Sequence, residues 1–415
     1  MRIFFLTPRF PFPPHKGDSL RVYHQLRTLS RHHRITLLSM TDAPVAPEHL
    51  AEVQKLCESV QVIRLARTQV LLNLGVGMLR PEPLQVSYYQ SPAFQHALDT
   101  LLAAGHFDAV HVTLMRMLPY VAKIDPKTGP RVVVDLIDSL TLNLEGRRAQ
   151  VKGLKRWAYE LEYRRVRDYE QNVVARRPNL VVSSPADQQL FGGEVVKVIP
   201  NGVDVDLFPF VGTASRRPRT LVFTGNMGYQ PNEEAVLWFA AEVFPTLRAQ
   251  YPGLAFQVVG IHPGERVKAL ARDLAGVEVT GAVPEVLPYL QQATVAVTPM
   301  RSGSGIQNKV LEAMSAGAPV VSTAIANRGV GGVHRRDLLI ADTAEAFAAA
   351  VRELLETAEL RSRLAAAGRE WVEQHFRWER HAEQLAELYA GGRTVPDLKP
   401  AADCVMSEST HGAIA

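Results

Sequence analysis

The residues best suited to bind an anion lie in a short glycine-containing loop and in the helix predicted to follow it. The loop is Ser302-Gly303-Ser304-Gly305, with Arg301 directly before it and Lys309 shortly after it. Backbone N–H groups and two basic side chains in this arrangement can hold a phosphate group. Glu312 follows within the same predicted helix and could accept hydrogen bonds from the hydroxyls of a sugar. The spacing therefore predicts a site for a phosphorylated sugar or a nucleotide.

Two buried strands and a helix are predicted to position this loop. The apolar run Val295–Val297 precedes it, and apolar residues recur at helical spacing over Ile306–Ala316. Gly317 stands where a left-handed helix C-cap is expected, and a second apolar strand begins at Pro319. In a parallel sheet this order puts the loop at the carboxyl edge of the strands, where phosphate groups bind. An ordinary crossover with a tight glycine turn is the alternative, because the full G-x-G-x-x-G pattern is absent.

The segment Asn308–Thr323, NKVLEAMSAGAPVVST, resembles the donor-binding signature of glycosyltransferase family 4. The resemblance implies transfer of a sugar from a nucleotide-sugar, with retention of configuration and without a metal ion. In that family a pair of glutamates contacts the donor. Glu312 matches the second of them, which contacts the ribose of the nucleotide. Ser304 stands where the first, which contacts the transferred sugar, is usually found, so the donor sugar stays open.

The same resemblance implies the fold class, an α/β protein of the GT-B type. Such a protein has two Rossmann-like doubly wound domains facing across a cleft, and its C-terminal helix crosses back to the first domain. The residues agree, because apolar runs alternate with helical patterns from Arg2–Thr7 onward. The string Val198–Phe208 also resembles the IPNGVD segment at the link between the domains. The predicted division is an acceptor-binding domain over residues 1–200, a linker over 201–219, a nucleotide-sugar-binding domain over 220–370, a crossover helix over 371–391 and a disordered tail over 392–415.

The resemblance also assigns roles in binding the donor. The loop GNMGYQPNEE, which begins at Gly225, lacks the Arg and Lys that the family usually has there. Stabilisation of the leaving diphosphate is therefore assigned to Arg301 and Lys309, helped by the loop amides. Gly281 matches a turn that contacts the nucleobase, and Gly17 matches a loop that touches the acceptor or a phosphate. The predicted binding residues are Gly303, Ser304, Gly305, Ile306, Glu312, Gly281, Asn226 and Gly17.

Asp138 is the residue predicted to act on the acceptor. It follows the strand Arg131–Leu136, where many members of the family carry a polar residue near the reacting centre. A carboxylate there could take the proton of the acceptor or stabilise an oxocarbenium-like state. The alternative is a helix cap for the segment that begins at Ser139. His111 ends a neighbouring strand and is open to a structural or a functional interpretation.

Composition limits the remaining classes of function. A formal charge of +4 over 415 residues does not indicate nucleic-acid binding. The two cysteines, Cys57 and Cys404, lie too far apart in sequence for a disulfide framework or a zinc site, which fits the cytoplasm. Asp204 and Asp206 offer two carboxylates that could bind a metal ion. Their position in a turn and the resemblance to a metal-independent family argue against a metal, and no other cofactor is expected. No apolar run reaches the roughly 20 residues that span a bilayer.

A basic region over 146–177 has two interpretations. It is either a solvated surface helix with an aromatic side packed inward, or a patch that rests on anionic lipid headgroups. The second would make the chain peripheral at the inner membrane. The segment Leu71–Ser91, interrupted by Pro81 and Pro83, receives no assignment. The basic residues are Arg147, Arg148, Lys152, Lys155, Arg156, Arg164, Arg165, Arg167, Arg176 and Arg177.

The resemblance to glycosyltransferase family 4 thus implies a hexosyltransferase that uses a nucleotide-sugar donor. The loop form GSGIQNKVLEAM is similar to a subgroup of sugar transferases in exopolysaccharide and exosortase-linked systems, which implies a lipid-linked or growing polysaccharide acceptor. A nucleotide-sugar 2-epimerase of the same fold and a non-catalytic GT-B-like binding protein stay open as alternatives. An NAD dehydrogenase is disfavoured, because no G-x-G-x-x-G follows the first strand.

Overall fold

The computed structural model describes residues 1–14, 16–142, 144–145, 153–176, 179–193, 196–303 and 305–391. The chain divides into two compact units. The first unit contains Met1–Gly202 and the segment that begins at Trp378, whereas the second contains Val203–Arg377. The predicted tail over 392–415 lies outside the described residues.

A seven-stranded parallel sheet forms the centre of the first unit, in the order β3-β2-β1-β4-β5-β6-β7. Its central strands are almost entirely buried, because helices cover both faces of a sheet of this kind. This is why they are nearly continuous apolar runs rather than alternating ones. The strands are β1 (Arg2–Thr7), β2 (Arg34–Thr41), β3 (Ser59–Arg64), β4 (Ala109–Thr113), β5 (Arg131–Ile137), β6 (Leu180–Val182) and β7 (Val196–Val198).

Helices connect these strands, as parallel pairing requires. Two of them begin at a serine whose side chain accepts from a backbone N–H of the first turn, Ser91 from Phe94 and Ser184 from Asp187. A 3₁₀ helix, Met115–Val121, follows β4. The α-helices are α1 (Gly17–Leu29), α2 (Pro47–Gln54), α3 (Arg67–Met78), α4 (Leu84–Tyr88), α5 (Pro92–Ala104), α6 (Leu154–Arg176) and α7 (Pro185–Leu190).

A six-stranded parallel sheet forms the centre of the second unit, in the order β10-β9-β8-β11-β12-β13. Its first strand, β8, pairs with β9 on one side and with β11 on the other. The loops after these three strands therefore meet at one edge of the sheet. The strands are β8 (Thr220–Thr224), β9 (Ala255–Val259), β10 (Val277–Gly281), β11 (Val295–Thr298), β12 (Val320–Ser322) and β13 (Leu339–Ile340).

The helices of the second unit pack on both faces of this sheet. A π-helical turn, Phe239–Val243, joins the first two. Gly317 has a φ of 74° directly after the helix that follows the glycine loop, so the predicted left-handed C-cap is confirmed. The α-helices are α8 (Gln230–Trp238), α9 (Phe244–Gln250), α10 (Glu265–Asp273), α11 (Leu287–Gln292), α12 (Asn308–Ser315), α13 (Ala324–Asn327), α14 (Ala344–Glu356) and α15 (Ala358–His375).

The last described helix, α16 (Trp378–Ala390), belongs to the first unit. Trp378 stacks on His24 of α1 with ring centroids 5.0 Å apart, and Leu385 is buried in the core beside α1. The segment predicted as one crossover helix over 371–391 is divided between α15 and α16, with a break at Phe376 and Arg377.

The segment predicted as a linker is packed against the second unit from Val203 onward. Arg216 holds this segment in place, because its buried guanidinium donates to four backbone carbonyl oxygens. The acceptors are the oxygens of Leu290 (2.5 Å), Ala293 (3.0 Å), Val211 (2.9 Å) and Ala316 (2.8 Å). This side chain fixes the approach to β8 against α11 and the end of α12.

Candidate functional site

The glycine loop between β11 and α12 has a backbone that requires its glycines. Gly303 has a φ of 131° and Gly305 a φ of 68°, conformations that other residues rarely adopt. The loop also lies close to the turn after α13, since a Cβ on Gly329 would be 2.8 Å from the Gly305 carbonyl oxygen. Ser304 lies outside the described residues, and Ile306 is half-buried. The loop is therefore held in shape from both sides.

Lys309, in the first turn of α12, points its amine toward the end of β8. Its Nζ donates to Gln307 Oε1 at 2.8 Å and lies 3.8 Å from Met300 Sδ. The amine is also 5.5 Å from the centre of the Phe223 ring. Burial lowers the pKa of Lys309 to about 8, against the opposing effect of the nearby Glu312 charge. A phosphate would supply a direct ion-pair partner, which this ammonium group does not have among the described residues.

Glu312 lies one turn further along α12 and is half-buried. Burial raises the pKa of its carboxyl to about 7, although the charge of Lys309 acts in the other direction. Across the residues that the structure describes, no hydrogen bond or ion pair engages this carboxylate. An unpartnered, desolvated carboxylate is costly for folding and well suited to accept hydrogen bonds from a diol.

The turn after β8 closes over Lys309 from the other side. A Cβ on Gly225 would lie 3.4 Å from Lys309 Cε and 2.8 Å from Asn232 Nδ2. On Gly260 it would lie 1.7 Å from the Gly225 carbonyl oxygen, so the two turns touch through their backbones. Asn226 is engaged within its own turn, where its Oδ1 accepts from the Gly228 N–H at 2.9 Å.

Arg301 is bound away from this group of residues. Its guanidinium carbon lies 4.7 Å from the centre of the Trp238 ring, and its Nη1 donates to the Asp342 carbonyl oxygen at 2.7 Å. To reach a ligand on the loop, the side chain would have to give up that hydrogen bond. The predicted pair of basic residues is thus asymmetric, with Lys309 inside the site and Arg301 at its border.

Two residues of α8 also lie at the candidate site, although the sequence analysis did not predict them there. Glu234 Oε2 accepts from Ser302 Oγ at 2.9 Å, which brings a carboxylate to the glycine loop. Asn232 is buried and donates from Nδ2 to the Asn226 carbonyl oxygen at 2.9 Å, while its Oδ1 has no hydrogen-bond partner in the part of the chain that the structure describes. Both residues belong to the stretch GNMGYQPNEE, in which only Asn226 was predicted to take part in binding.

Gly281 ends β10 with a φ of 69°, and its carbonyl oxygen accepts from the Gly260 N–H at 3.2 Å. It therefore lies at the same edge of the sheet as Gly225 and the glycine loop. A Cβ on it would meet no heavy atom within 4 Å, so its surroundings are open.

In the first unit, Asp138 lies just after an irregular end of β5. The pairing of β5 with β6 shifts register between Asp135 and Ile137, and Ile137 has a φ of 65°. Asp138 Oδ1 accepts from Ser183 Oγ at 2.9 Å. Burial, with the charge of Asp187 added, raises the pKa of Asp138 to about 6. Gly17, by contrast, is exposed at the first position of α1.

Asp135 takes part in a buried network that sequence reasoning missed. Its Oδ2 accepts from Arg21 Nε at 2.7 Å and from Gln25 Nε2 at 2.8 Å. Arg21 also donates to Asn201 Oδ1 at 3.0 Å and to the Ile199 carbonyl oxygen at 2.8 Å. Burial is the largest single effect and opposes ionisation, but the surrounding charges and hydrogen bonds, with the charge of Arg21 first among them, together hold the pKa of Asp135 below its usual value.

His111 completes this network from β4 and is buried. Its Nδ1 lies 2.8 Å from the Tyr389 hydroxyl, and its ring stacks on Phe5 with centroids 4.3 Å apart. Burial lowers the pKa of His111 to about 4, so the ring is neutral. These contacts favour the structural interpretation of His111.

Asp204 uses its carboxylate within the chain. Its Oδ1 accepts from the N–H groups of Asp206 and Leu207, each at 3.1 Å, in a turn of its own. Within the described ranges, no group of three His, Cys, Asp or Glu side chains could hold a metal ion. None of the helices in those ranges is long and apolar enough to cross a membrane.

Comparison with known proteins gives a partial match to one family. Residues 218–357 match the family Glycosyl transferases group 1. The chain is 27% identical over 232 residues to a phosphatidyl-myo-inositol mannosyltransferase of Mycolicibacterium smegmatis, which covers 54% of this chain and 59% of that protein. It is 28% identical over 261 residues to a glycogen synthase of Mycobacterium tuberculosis, which covers 57% and 60%. The chain thus spans about three fifths of the length of these curated relatives.

Solved structures share the fold across nearly the whole chain. Sucrose-phosphate synthase from Thermosynechococcus elongatus aligns with a TM-score of 0.68 at 17% identity, covering 94% of this chain and 99% of that one. HepE of Anabaena, in complex with UDP and glucose, aligns with a TM-score of 0.63 at 17% identity, covering 94% and 100%. WaaG, a glycosyltransferase involved in lipopolysaccharide biosynthesis, aligns with a TM-score of 0.63 at 18% identity and the same coverage. The predicted fold class, GT-B with two Rossmann-like domains, is confirmed.

Proposed function

We propose that the chain is a glycosyltransferase of the group 1 family that moves a hexose from a nucleoside-diphosphate sugar to a glycan or lipid-linked acceptor. The observation that carries the proposal is Glu312, a half-buried carboxylate that no described residue pairs with, next to the confined ammonium group of Lys309. The named relatives support it, since they include a mannosyltransferase and a glycogen synthase. A fold neighbour with bound UDP and glucose supports a nucleotide donor.

The donor site of the proposal lies in the second unit. Glu312 accepts hydrogen bonds from the ribose hydroxyls, and Lys309 with the N–H groups of the glycine loop binds the diphosphate. Gly281 lies at the same sheet edge and is the proposed neighbour of the nucleobase. Glu234, held against Ser302, is the carboxylate available near the loop where Ser304 replaces the usual glutamate.

The proposed reaction breaks the bond between the anomeric carbon and the diphosphate while the acceptor hydroxyl bonds to that carbon. Negative charge develops on the leaving diphosphate, and a fixed ammonium group and backbone N–H groups stabilise it. The acceptor loses its proton, for which Asp138 is the proposed recipient in the first unit. Its raised pKa, about 6, suits a group that takes up a proton near neutral pH.

Several finer points of the proposal come from the family resemblance alone. These are retention of configuration, independence of metal ions and other cofactors, and an acceptor that belongs to exopolysaccharide or another cell-surface glycan. A lipid-linked acceptor would require the chain to work at a membrane face.

The first test is thermal stabilisation of the full chain by UDP, GDP and ADP and by their glucose and mannose conjugates. A ligand at about 100 times its Kd adds roughly 2.7 kcal/mol to the free energy of unfolding. We expect one nucleotide to stabilise the wild type and Glu312→Gln to lose that response. The control is Glu359→Gln, an exposed glutamate on α15, which should respond like the wild type.

A non-catalytic nucleotide-binding protein is a second candidate, favoured by the engagement of Arg301 with Trp238 and Asp342. It predicts the same stabilisation but neither hydrolysis nor transfer of the donor sugar over long incubation with candidate acceptors. Absence of any nucleotide response would contradict both candidates.

A further inference from the structure

Helix α3 turns its polar side toward the protein and its apolar side toward solvent. Asn73 donates from Nδ2 to the carbonyl oxygens of Tyr88 (3.3 Å) and Gln90 (2.7 Å), and Gln69 donates to Asn73. On the outer side, Leu72 is 66% exposed and Leu79, directly after the helix, is 90% exposed. This is the reverse of the usual orientation of a surface helix.

Helix α6 contacts the end of α3 and carries exposed apolar side chains of its own. Arg165 donates to the carbonyl oxygens of Gly77 (3.3 Å) and Met78 (2.9 Å), so α6 is fixed to the end of α3. Leu161 and Trp157 lie one and two turns before Arg165 and are exposed, Trp157 by 67%. We call the combined surface the α3–α6 patch; it consists of Leu71, Leu72, Val76, Met78, Leu79, Trp157 and Leu161.

The charges around this patch are predominantly positive, with two carboxylates beside it that are each paired with an arginine, Glu82 with Arg80 and Glu160 with Arg164. Residues 65–81 contain no Asp or Glu, and exposed arginines stand at both ends of α3, Arg67 at its start and Arg80 just after its end. Lys155 and Arg156 are exposed beside Trp157. An apolar face with a tryptophan and a basic border is the composition of a helix that lies in the interface of an anionic bilayer.

We infer that the α3–α6 patch docks the chain onto an anionic lipid bilayer. The leucines and Trp157 enter the boundary between headgroups and acyl chains, while the basic residues contact phosphate groups of the lipids. The inference deepens the proposed function, since a lipid-linked acceptor is found at such a surface. Lipid binding itself requires neither donor nor acceptor and can be measured separately.

The test is co-sedimentation of the full chain with vesicles of phosphatidylcholine that contain about a third phosphatidylglycerol, a composition that supplies the negative surface charge. We expect the wild type to bind these vesicles and Leu72→Glu/Leu79→Glu to bind at least about tenfold more weakly. The variant replaces two apolar side chains that enter the bilayer by negative charges that the anionic lipids repel. The matched control is Leu190→Glu, an exposed leucine in the same unit, which should bind like the wild type.

A second variant tests the role of charge. Lys155→Gln/Arg156→Gln should bind the anionic vesicles roughly tenfold more weakly, while its weak binding to pure phosphatidylcholine should not change. Raising the salt concentration should have a similar effect on the wild type.

Three results would overturn the inference. They are equal binding by the wild type and both patch variants, no binding by the wild type, and a wild-type dimer in light scattering that Leu72→Glu/Leu79→Glu dissociates without any vesicle binding. A nucleotide response retained in the patch variants shows that they are folded. Vesicle binding without a nucleotide response contradicts the proposed function but supports the docking surface. A nucleotide response without vesicle binding supports the proposed function but contradicts the docking surface.

Discussion

At the scale of single residues, the proposed donor site is maintained at a cost in stability. The pKa of the Glu312 carboxyl rises from 4.5 to about 7 on folding, mainly through burial. Between these values the folded chain binds more protons than the unfolded chain, so stability falls as pH rises through this window. Function accounts for such a residue better than folding does, because an active site often contains groups that destabilise the chain.

The first prediction follows from this sign. Glu312→Gln should leave stability at pH 4 almost unchanged and raise the free energy of unfolding by about 1–3 kcal/mol at pH 8. Urea unfolding at both pH values measures the difference, with Glu359→Gln as the control that gains nothing. A Glu312→Gln chain less stable than the wild type at pH 8 would show that the carboxylate has a structural partner.

The second prediction separates the two basic residues assigned to the leaving group. Lys309→Met should lower turnover of the donor by about 10²-fold or more, because the ammonium group faces the site and its loss removes transition-state stabilisation. Arg301→Met should cost much less, roughly tenfold at most, because the guanidinium is already engaged by Trp238 and Asp342. Steady-state kinetics measures the turnover of both variants. An equal loss of turnover would show that Arg301 also stabilises the leaving diphosphate.

At the scale of elements, the glycine loop depends on a neighbour that is distant in sequence. A Cβ on Gly329 would lie 2.8 Å from the Gly305 carbonyl oxygen and 3.0 Å from Ile306 Cα. The third prediction is that Gly329→Ala displaces the loop and weakens nucleotide binding about tenfold or more, with a loss of stability of roughly 1–3 kcal/mol.

Gly212→Ala is the matched control, since a Cβ there would meet no heavy atom within 4 Å. Isothermal titration with the nucleotide found in the stabilisation test measures both variants. If the Gly329→Ala chain binds as tightly as Gly212→Ala, the loop does not need this contact.

The sequence was sufficient to predict most of the elements around the proposed donor site. Apolar runs predicted β8, β11 and β12, and apolar residues at helical spacing followed by a glycine predicted α12. Lys309 and Glu312 could be placed on one helix because their separation is a single turn. Glu234 and Asn232 could not be placed there, because their contacts with the loop come from tertiary packing of α8.

Helix α3 was missed for a related reason. Secondary structure is recognised by an apolar side that faces a core, and α3 has its apolar side in solvent. Its Asn73 donates to two backbone carbonyl oxygens at and just after the end of α4, a tertiary contact, and Gln69 donates to the side chain of Asn73. The irregular end of β5 at Ile137 could not be predicted from the sequence either. A β-branched residue rarely adopts a positive φ, so the local sequence predicts an ordinary strand there.

At the scale of the whole molecule, the first unit is joined through a buried ion pair. Arg21 on α1 holds Asp135 on β5 and also contacts Ile199 and Asn201, next to the end of the first part of this unit. The fourth prediction is that Arg21→Met lowers the free energy of unfolding by about 3–5 kcal/mol, since it leaves a buried carboxylate without its partner.

The pH dependence of this variant has a defined sign. Asp135 has a lowered pKa in the fold, so its contribution is present above the unfolded value of 3.8 and is lost as pH falls. The difference between wild type and Arg21→Met in urea unfolding should therefore narrow below about pH 4. Arg31→Met is the control, since its pair with Glu379 is exposed and contributes at most about 1 kcal/mol. An equal cost for both variants would mean that burial adds nothing to the ion pair.

The position of α16 has a consequence for how the chain is made. Val203–Arg377 is one uninterrupted stretch, whereas the first unit is completed only by the helix that begins at Trp378. A ribosome synthesises the second unit in full before it releases the helix that brings Leu385 and Tyr389 into the first unit's core. The usual order, in which the N-terminal domain folds first during synthesis, is thereby reversed. Until α16 has left the ribosome, the nascent first unit keeps uncovered the apolar surface that Leu385 and Tyr389 later bury.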